Sequence, residues 1–378
     1  MTPDPAYHSR KDFQKMASEI IETFHQILAQ CVEHGASDVL LKEDAAANLR
    51  IAGALYPVDF VTTHEFLDTL LREIMDERML KEYEQNGDFD FSYCVEDLGR
   101  FRINAHRQRG MHGITLRYVK SKISSMEELS LPPVLRSIAE TPRGIILVCG
   151  TTGSGKSTTL AAMIQHINEH FTKHIITIED PIEYEFRDGK SFVEQREVGL
   201  DCPTFYSALT HAMRQAPDVI MVGEMRDKES FEAALQAADT GHMVISTVHA
   251  ADASQVVGRI LDLYPIQEQD TILEALAANL KATIAQRLLP KALGKGVVPV
   301  VEVMICDPVV QRYISKKEFE KLPEAMESAR EAGMQTFNMA ILDRINNGEI
   351  TEEVGLAASS SPTALKMNLK GIFLNSSK

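Results

Sequence analysis

The sequence predicts a two-domain α/β protein, and three observations support this fold class. The chain has 378 residues, a length that suggests two domains and is enough to bury a substantial core. Its second half alternates short apolar runs with helical patterns, as parallel strands covered on both faces do. A glycine-rich turn, GTTGSGKST at residues 150–158, follows one apolar run and opens a helix. We therefore expect a mainly parallel sheet, preceded by a smaller α/β domain.

The smaller domain is predicted over residues 1–118. Apolar residues recur at spacings of three and four over residues 12–34, which predicts a helix. Strand-like segments begin at GASDVLLKE, and one helix is predicted within THEFLDTLLREIMDERMLKEYEQNG at residues 63–87. The Ser-rich and Pro-rich segment at residues 119–133 is predicted to be a linker.

The larger domain is predicted over residues 134–378. Its five predicted strands are the apolar runs GIILVCG, HIITIED, DVIMVGE, MVISTVHA and VVPVVEVMI. From about Ser315 the chain is helical and charged, and it ends in a small tail.

Composition argues against several classes of function. The net charge is −15, whereas proteins that grip nucleic acid usually carry a basic excess. The five cysteines are scattered, which favours reduced thiols over disulfides or a structural zinc site. No apolar run approaches the ~20 residues that span a bilayer, and the polar amino-terminal stretch is unlike a signal peptide. We expect a cytoplasmic protein with no nucleic-acid partner.

The glycine-rich turn matches the phosphate-binding pattern G-x-x-x-x-G-K-[ST]. Its glycines let backbone N–H groups face phosphate oxygens at the positive end of a new helix. Lys156 is expected to reach the β and γ phosphates, and the Ser157 hydroxyl to bind Mg²⁺. The predicted nucleotide-binding residues are Gly150, Thr151, Thr152, Gly153, Ser154, Gly155, Lys156, Ser157 and Thr158. The expected ligands are therefore ATP and Mg²⁺.

Acidic residues end two further predicted strands. Glu224 follows the run DVIMVG and is expected to face the Mg²⁺ shell, directly or through water. The stretch IITIEDPIEYEF places Glu179, Asp180 and Glu183 beside the same predicted crevice, because ligands lie at the carboxyl ends of parallel strands. One of these carboxylates could orient the attacking water, and periodicity does not choose among the three.

Histidine and arginine add two more candidate groups. His249 ends the run MVISTV and is predicted to contact the γ phosphate, with His242 at the start of the same run as a weaker candidate. The strand-like RFRINAHRQRGMHGITLR is rich in arginine, and alternation places Arg100 and Arg102 on one face. These arginines fit three alternatives: stabilisation of the phosphoryl-transfer charge, a solvated basic face, or a nucleic-acid groove.

The motifs GTTGSGKST, ITIEDPIEY, QREVGLD, RQAPDVIMVGEMRD and TGHMVISTVHA, taken in this order, resemble the secretion-ATPase superfamily. Within it, the chain is most similar to the type IV pilus retraction ATPases, the PilT and PilU group. The resemblance extends over nearly the whole chain, from GASDVLL to GMQTFNMAI.

This resemblance implies a hexameric ATP-driven motor with an N-terminal PAS-like domain and a RecA-like P-loop ATPase domain. It assigns the catalytic base to Glu183 and the Walker B acid to Glu224. It places His249 and His242 in the family's His box, and it implies that Arg102 and Arg117 reach the nucleotide. The implied partners are other copies of the chain, an inner-membrane pilus platform protein and a second retraction ATPase. The implied location is the cytoplasmic side of the inner membrane, where the pilus machinery would hold the protein peripherally.

Two segments depart from the pattern of the main retraction motors. VVQRYISK at residues 309–316 replaces the family's AIRNLIRE, and the segment after residue 347 is more like the accessory PilU branch. The branch therefore stays open between main and accessory motor. The alternatives are a pilus-assembly or type II secretion ATPase, then a nucleic-acid motor, then a small-molecule kinase.

Overall fold

The computed structural model describes residues 5–119, 122–294 and 296–372, with side chains from residue 15 onward. The first residues of the polar amino-terminal stretch, two linker residues and the end of the tail lie outside this description. Contacts divide the chain into two compact units, Met1–Lys122 with Glu183–Glu185, and Ile123–Ile182 with Phe186–Lys378. We call them the N-terminal unit and the ATPase-motif unit.

Over its described residues, the N-terminal unit is an antiparallel sheet with three helices. The helices are α1 Pro5–Glu33, α2 His64–Ile74 and α3 Glu77–Asn86. The strands are β1 Asp38–Lys42, β2 Ala45–Ile51, β3 Ala54–Thr62, β4 Asp88–Val95, β5 Gly99–Gln108 and β6 Met111–Val119, in the sheet order β3-β2-β1-β6-β5-β4. Along β5, Phe101, Ile103 and Ala105 are buried, whereas Arg102 between them is exposed. This alternation is that of a strand with one face on the core.

The single helix predicted at residues 63–87 is wrong, because two helices occupy this segment. Helix α2 ends at Ile74, and Met75 takes an extended conformation. Asp76 is also extended, and its side chain accepts a hydrogen bond from the backbone N–H of Met79. An aspartate in this geometry is a helix N-cap, so it starts α3 rather than continuing α2.

The ATPase-motif unit contains a seven-stranded sheet and eleven α-helices among its described residues. The strands are β7 Gly144–Cys149, β8 His174–Glu179, β9 Phe192–Glu197, β10 Val219–Val222, β11 Met243–Val248, β12 Leu280–Pro290 and β13 Val297–Ile305. The helices are α4 Val134–Ala139, α5 Lys156–His170, α6 Phe205–Ala212, α7 Lys228–Asp239, α8 Gln255–Leu261, α9 Gln269–Asn279, α10 Pro308–Ser315, α11 Leu322–Ser328, α12 Phe337–Asn346, α13 Glu352–Ala358 and α14 Pro362–Leu369.

The seven strands lie in the order β13-β12-β7-β11-β10-β8-β9, and only the β12–β13 pair of this sheet is antiparallel. The central strands β7 and β11 are buried at every residue, as strands covered on both faces must be. All five predicted strands are present as β7, β8, β10, β11 and β13, and the predicted α/β class is confirmed. Strands β9 and β12 were not predicted.

No helix of the described ranges is both long and apolar enough to cross a membrane.

Candidate active site at the carboxyl edge of the sheet

Strand register brings four motifs to one edge of the ATPase-motif unit. In the parallel pairs, Cys149 lies opposite Val248. Val222 in turn lies opposite both Ser246 and Ile178. The residues that follow these strand ends therefore emerge side by side. They are the P-loop at 150–158, His249, Glu224 and the acidic stretch after β8. Ligands of open parallel sheets bind at this edge.

The P-loop backbone depends on glycine where other residues would not fit. Gly150 has φ of 149°, and a Cβ there would lie 2.5 Å from Ser154 Oγ and 2.6 Å from the Gln286 carbonyl oxygen. Gly155 has φ of 88°, and a Cβ there would lie 2.7 Å from Gln286 Nε2. Lys156 Nζ donates to the carbonyls of Gly150, at 2.9 Å, and Thr151, at 3.1 Å. The side chain is thus folded over the loop, in the concavity that the motif predicts for phosphate.

Gln286 supports this loop from the neighbouring strand, and the sequence did not reveal it. The side chain is 3% exposed. Its Nε2 donates to the Ser154 carbonyl at 2.9 Å, and its Oε1 accepts from Thr159 Oγ1 at 2.6 Å. One amide therefore joins the loop to the first turn of α5. Gln286 lies on β12, which was itself missed, so no sequence signal pointed to it.

Glu224 lies two residues beyond β10, with its side chain 17% exposed. Its Oε2 accepts from Arg226 at 2.6 Å, and its Oε1 lies 2.9 Å from His249 Nε2. The sequence predicted Glu224 and His249 separately, and the structure brings them into contact. Arg226 was not singled out, although it stands two residues after the acid.

Electrostatics keep Glu224 ionised. Burial by itself raises the pKa of this carboxyl, but the hydrogen bond and charge of Arg226, with His249 and Lys156, outweigh it and hold the pKa below its ordinary value. An anionic oxygen donor beside a P-loop is the ligand type that Mg²⁺ prefers. The residues present therefore fit a nucleotide phosphate with its magnesium ion.

The acids after β8 separate into different environments. Glu179 is 6% exposed, and its Oε1 accepts hydrogen bonds from Thr177 Oγ1 at 2.7 Å and from Gln195 Nε2 at 3.0 Å. Asp180 and Glu183 are exposed. The negative charge of Asp180 contributes to a raised pKa of Arg226, after the larger effect of the Glu224 hydrogen bond. Glu179 is therefore a buried carboxylate that accepts two hydrogen bonds, whereas the side chains of Asp180 and Glu183 reach solvent.

A cavity of about 520 Å³ opens beside this group and is lined by Glu224, Arg226, His249, Arg259 and Asp262 among others. Two of the charged lining residues, Arg226 and Arg259, were not predicted as site residues from the sequence.

Three predicted residues lie elsewhere. His242 precedes β11, at the opposite edge of the sheet, where its Nδ1 lies 2.9 Å from the Ala237 carbonyl. Arg102 and Arg117 are cross-strand partners in the N-terminal unit, and both are exposed. Arg117 Nε donates to Asp38 Oδ1 at 2.9 Å. Within their unit, the two arginines form a pair of adjacent cations on the exposed face of the sheet.

The P-loop follows β7, His249 follows the adjacent strand β11, and the ionised Glu224 follows β10, the next strand along the sheet. A largely parallel sheet with these groups at one edge, and with His249 in contact with Glu224, defines a P-loop ATPase of the RecA-like type. The family model described as "Type II/IV secretion system protein" matches residues 14–296, and the chain belongs to this family. The relatives described below are named as ATPases, and this chain is an ATPase.

Relatives named as type IV pilus ATPases are similar over most of this chain. The type IV pilus ATPase PilU of Pseudomonas aeruginosa is 39% identical, covering 92% of this chain and 91% of the relative. The type IV pilus retraction ATPase PilT of the same organism is 37% identical, covering 87% and 95%. The crystal structure of the pilus retraction motor PilT with bound ADP has a TM-score of 0.84 at 40% identity, covering 90% of this chain and 98% of that one. The resemblance to retraction ATPases is confirmed.

Proposed function

We propose that this chain is a hexameric motor ATPase that hydrolyses ATP to power type IV pilus retraction, as a main or accessory motor. The observation that carries the proposal is the meeting of the P-loop, Glu224 and His249 at one sheet edge, with Glu224 held as the anion. Relatives named as retraction ATPases, similar over nearly their whole length, support the mechanical part of the proposal.

The residues of the P-loop bind and orient the triphosphate. Backbone N–H groups of residues 150–158 and the start of α5 present positive potential, and Lys156 turns from its loop carbonyls toward the β and γ phosphates. Ser157 and Glu224 would hold Mg²⁺, which when bound neutralises charge that develops on the phosphate oxygens. Arg226 and His249 keep the Glu224 carboxylate anionic and in place.

Glu183 is proposed as the base that takes a proton from the attacking water. It is exposed, as a group that must meet water and substrate needs to be, whereas Glu179 is buried and already accepts two hydrogen bonds. Glu179 would then hold the end of β8, and Asp180 would help to position Arg226.

Arg102 and Arg117 are proposed to stabilise the charge that develops during phosphoryl transfer. Their side chains lie on adjacent strands and are exposed, so a nucleotide carried by another copy of the chain could receive both. The proposed partners are further copies of this chain, a pilus platform protein of the inner membrane and a second retraction ATPase. The platform protein would hold the ring peripherally at the cytoplasmic side of that membrane.

The chemical test compares three conservative variants. Glu183→Gln keeps the shape of the side chain but cannot accept a proton, so it should bind ATP normally and lose at least about a hundredfold in kcat. Glu179→Gln should lower kcat only a few-fold, and Glu185→Gln, in the same segment, is the matched control. Steady-state hydrolysis and titration with a fluorescent nucleotide measure both quantities. A larger kcat loss in Glu179→Gln than in Glu183→Gln would reassign the base.

The cellular test separates retraction from assembly. Deletion of the encoding gene should leave surplus surface pili with impaired retraction, and complementation by a Lys156→Ala variant should not restore it. Loss of pili altogether would instead favour the pilus-assembly ATPase. ATP hydrolysis that DNA strongly stimulates would favour the nucleic-acid motor, which the charge of −15 opposes.

A further inference from the structure

Two histidines and a glutamate of the N-terminal unit, none of them a candidate residue above, lie close together. Glu43, His64 and His112 each offer a ligand atom, and these atoms all lie within 4.8 Å of one another. Glu43 and His112 are each 8% exposed, whereas the His64 side chain is 69% exposed. Two members of the cluster are thus buried, and the third, His64, is open to solvent.

The backbone fixes the geometry of this cluster. Glu43 directly follows β1, and its N–H donates to the carbonyl of His112 on β6 at 3.3 Å. The N–H of His112 in turn donates a hydrogen bond of 2.6 Å to Glu43 Oε1. His64 is the first residue of α2, after the N-cap Thr63, and its Nδ1 lies 3.1 Å from the same Oε1. Three separate elements therefore position the three side chains.

Tyr83 orients the buried histidine. Its hydroxyl lies 2.8 Å from His112 Nδ1 within the core, and Tyr83 is 2% exposed. With Nδ1 occupied by the hydroxyl, Nε2 is the nitrogen that faces the cluster and can carry a free lone pair. Hydrogen bonds to the second nitrogen of a ligand histidine are the usual outer support of metal sites.

We propose that Glu43, His64 and His112 form a binding site for a divalent transition cation of the zinc class. Two imidazoles and one carboxylate are a zinc donor set, and water would take the fourth position. Asp68 lies nearby, with Oδ1 3.9 Å from His112 Nε2, but it accepts two hydrogen bonds from Arg72 and stays outside the ligand set. The bound cation would join the β1–β2 turn, the start of α2 and β6.

The test titrates the full-length protein with Zn²⁺ against a chromophoric chelator. The unmodified chain should bind one Zn²⁺ that His64→Gln, which removes an exposed ligand, weakens at least about tenfold. His34→Gln is the matched control, because His34 is an exposed histidine of the same unit outside the cluster. Both variants keep the nucleotide site, so their difference reports only this cluster.

Tyr83→Phe tests the buried histidine separately, because its effect on Zn²⁺ binding depends on His112 and not on an exposed surface histidine. Loss of the hydroxyl should weaken Zn²⁺ binding about 10- to 100-fold and change the visible absorption of bound Co²⁺. Equal Zn²⁺ affinity in the unmodified chain, His64→Gln and His34→Gln would overturn the proposal, because the cluster would then be only a hydrogen-bonded polar group. Unchanged affinity in Tyr83→Phe would overturn the assignment of His112 as a ligand.

Discussion

Replacement of Gln286 by methionine is the perturbation whose magnitude follows most directly from the structure. Methionine keeps most of the side-chain volume but removes the amide that joins Ser154 to Thr159. Each polar group left unpaired inside a protein costs about 1–3 kcal/mol, and the substitution leaves two. Two such groups would cost about 2–6 kcal/mol together, but the Thr159 hydroxyl can rotate toward another acceptor, so we expect a loss in the lower half of this range, about 3 kcal/mol.

Part of this loss should appear in nucleotide binding, because the freed Ser154 carbonyl belongs to the P-loop. A decrease of about 1.4 kcal/mol in the stability of the binding-competent loop lowers apparent affinity tenfold. We therefore expect the Kd for ATP to rise about tenfold in Gln286→Met. Urea unfolding measures the stability, and titration with a fluorescent nucleotide measures the Kd.

Two further variants make the result specific. Thr159→Val removes only one of the two hydrogen bonds, and a double-mutant cycle with Gln286→Met should give a coupling of about 1 kcal/mol. Gln335→Met is the matched control, because Gln335 Nε2 donates to the Val301 carbonyl at 2.7 Å, outside the P-loop. It should lower stability without changing the Kd for ATP. If Gln286→Met left that Kd within twofold, or Gln335→Met raised it equally, the positioning role would be refuted.

Three other predictions concern pH, charge and catalysis. Burial raises the pKa of Glu302 to about 7, so the native protein holds a proton that the unfolded chain releases near its ordinary 4.5, and stability falls as pH rises through this window. In the unmodified protein the free energy of unfolding should fall by about 3 kcal/mol between about pH 5 and about pH 8, and Glu302→Gln should remove this fall. Urea unfolding at each pH measures it, and equal pH slopes for both proteins would contradict the prediction. Arg102→Ala and Arg117→Ala should each lower kcat about 10³-fold, while the free energy of unfolding changes by less than about 1 kcal/mol. Unchanged turnover would show that the two arginines only form a solvated basic face. His249→Ala should raise the pKa of Glu224, whose carboxyl it helps to keep ionised, so the acidic limb of the kcat–pH profile should move to higher pH; an unmoved limb would show that the contact has no electrostatic effect.

Local chemistry explains why much of the fold was predictable. The runs that became β7, β8, β10 and β11 are short, apolar and rich in β-branched residues, and each is buried between helices, so hydrophobicity alone identifies them. β12 was missed because LKATIAQRLLP carries two cations and a glutamine, and it is a strand through its pairing with β7 and β13. The same strand pairing places Gln286 beside the P-loop. The break between α2 and α3 was readable in principle from Asp76, a common N-cap residue.

The sequence by itself determined the phosphate-binding loop and the acid and histidine that end neighbouring strands, because each is a local pattern whose chemistry is carried by adjacent residues. Only the tertiary structure decided which of them meet. Register brought His249 to Glu224, burial separated Glu179 from Glu183, and three distant segments assembled Glu43, His64 and His112. Contacts between residues far apart in sequence depend on strand pairing and packing, which no spacing along the chain encodes.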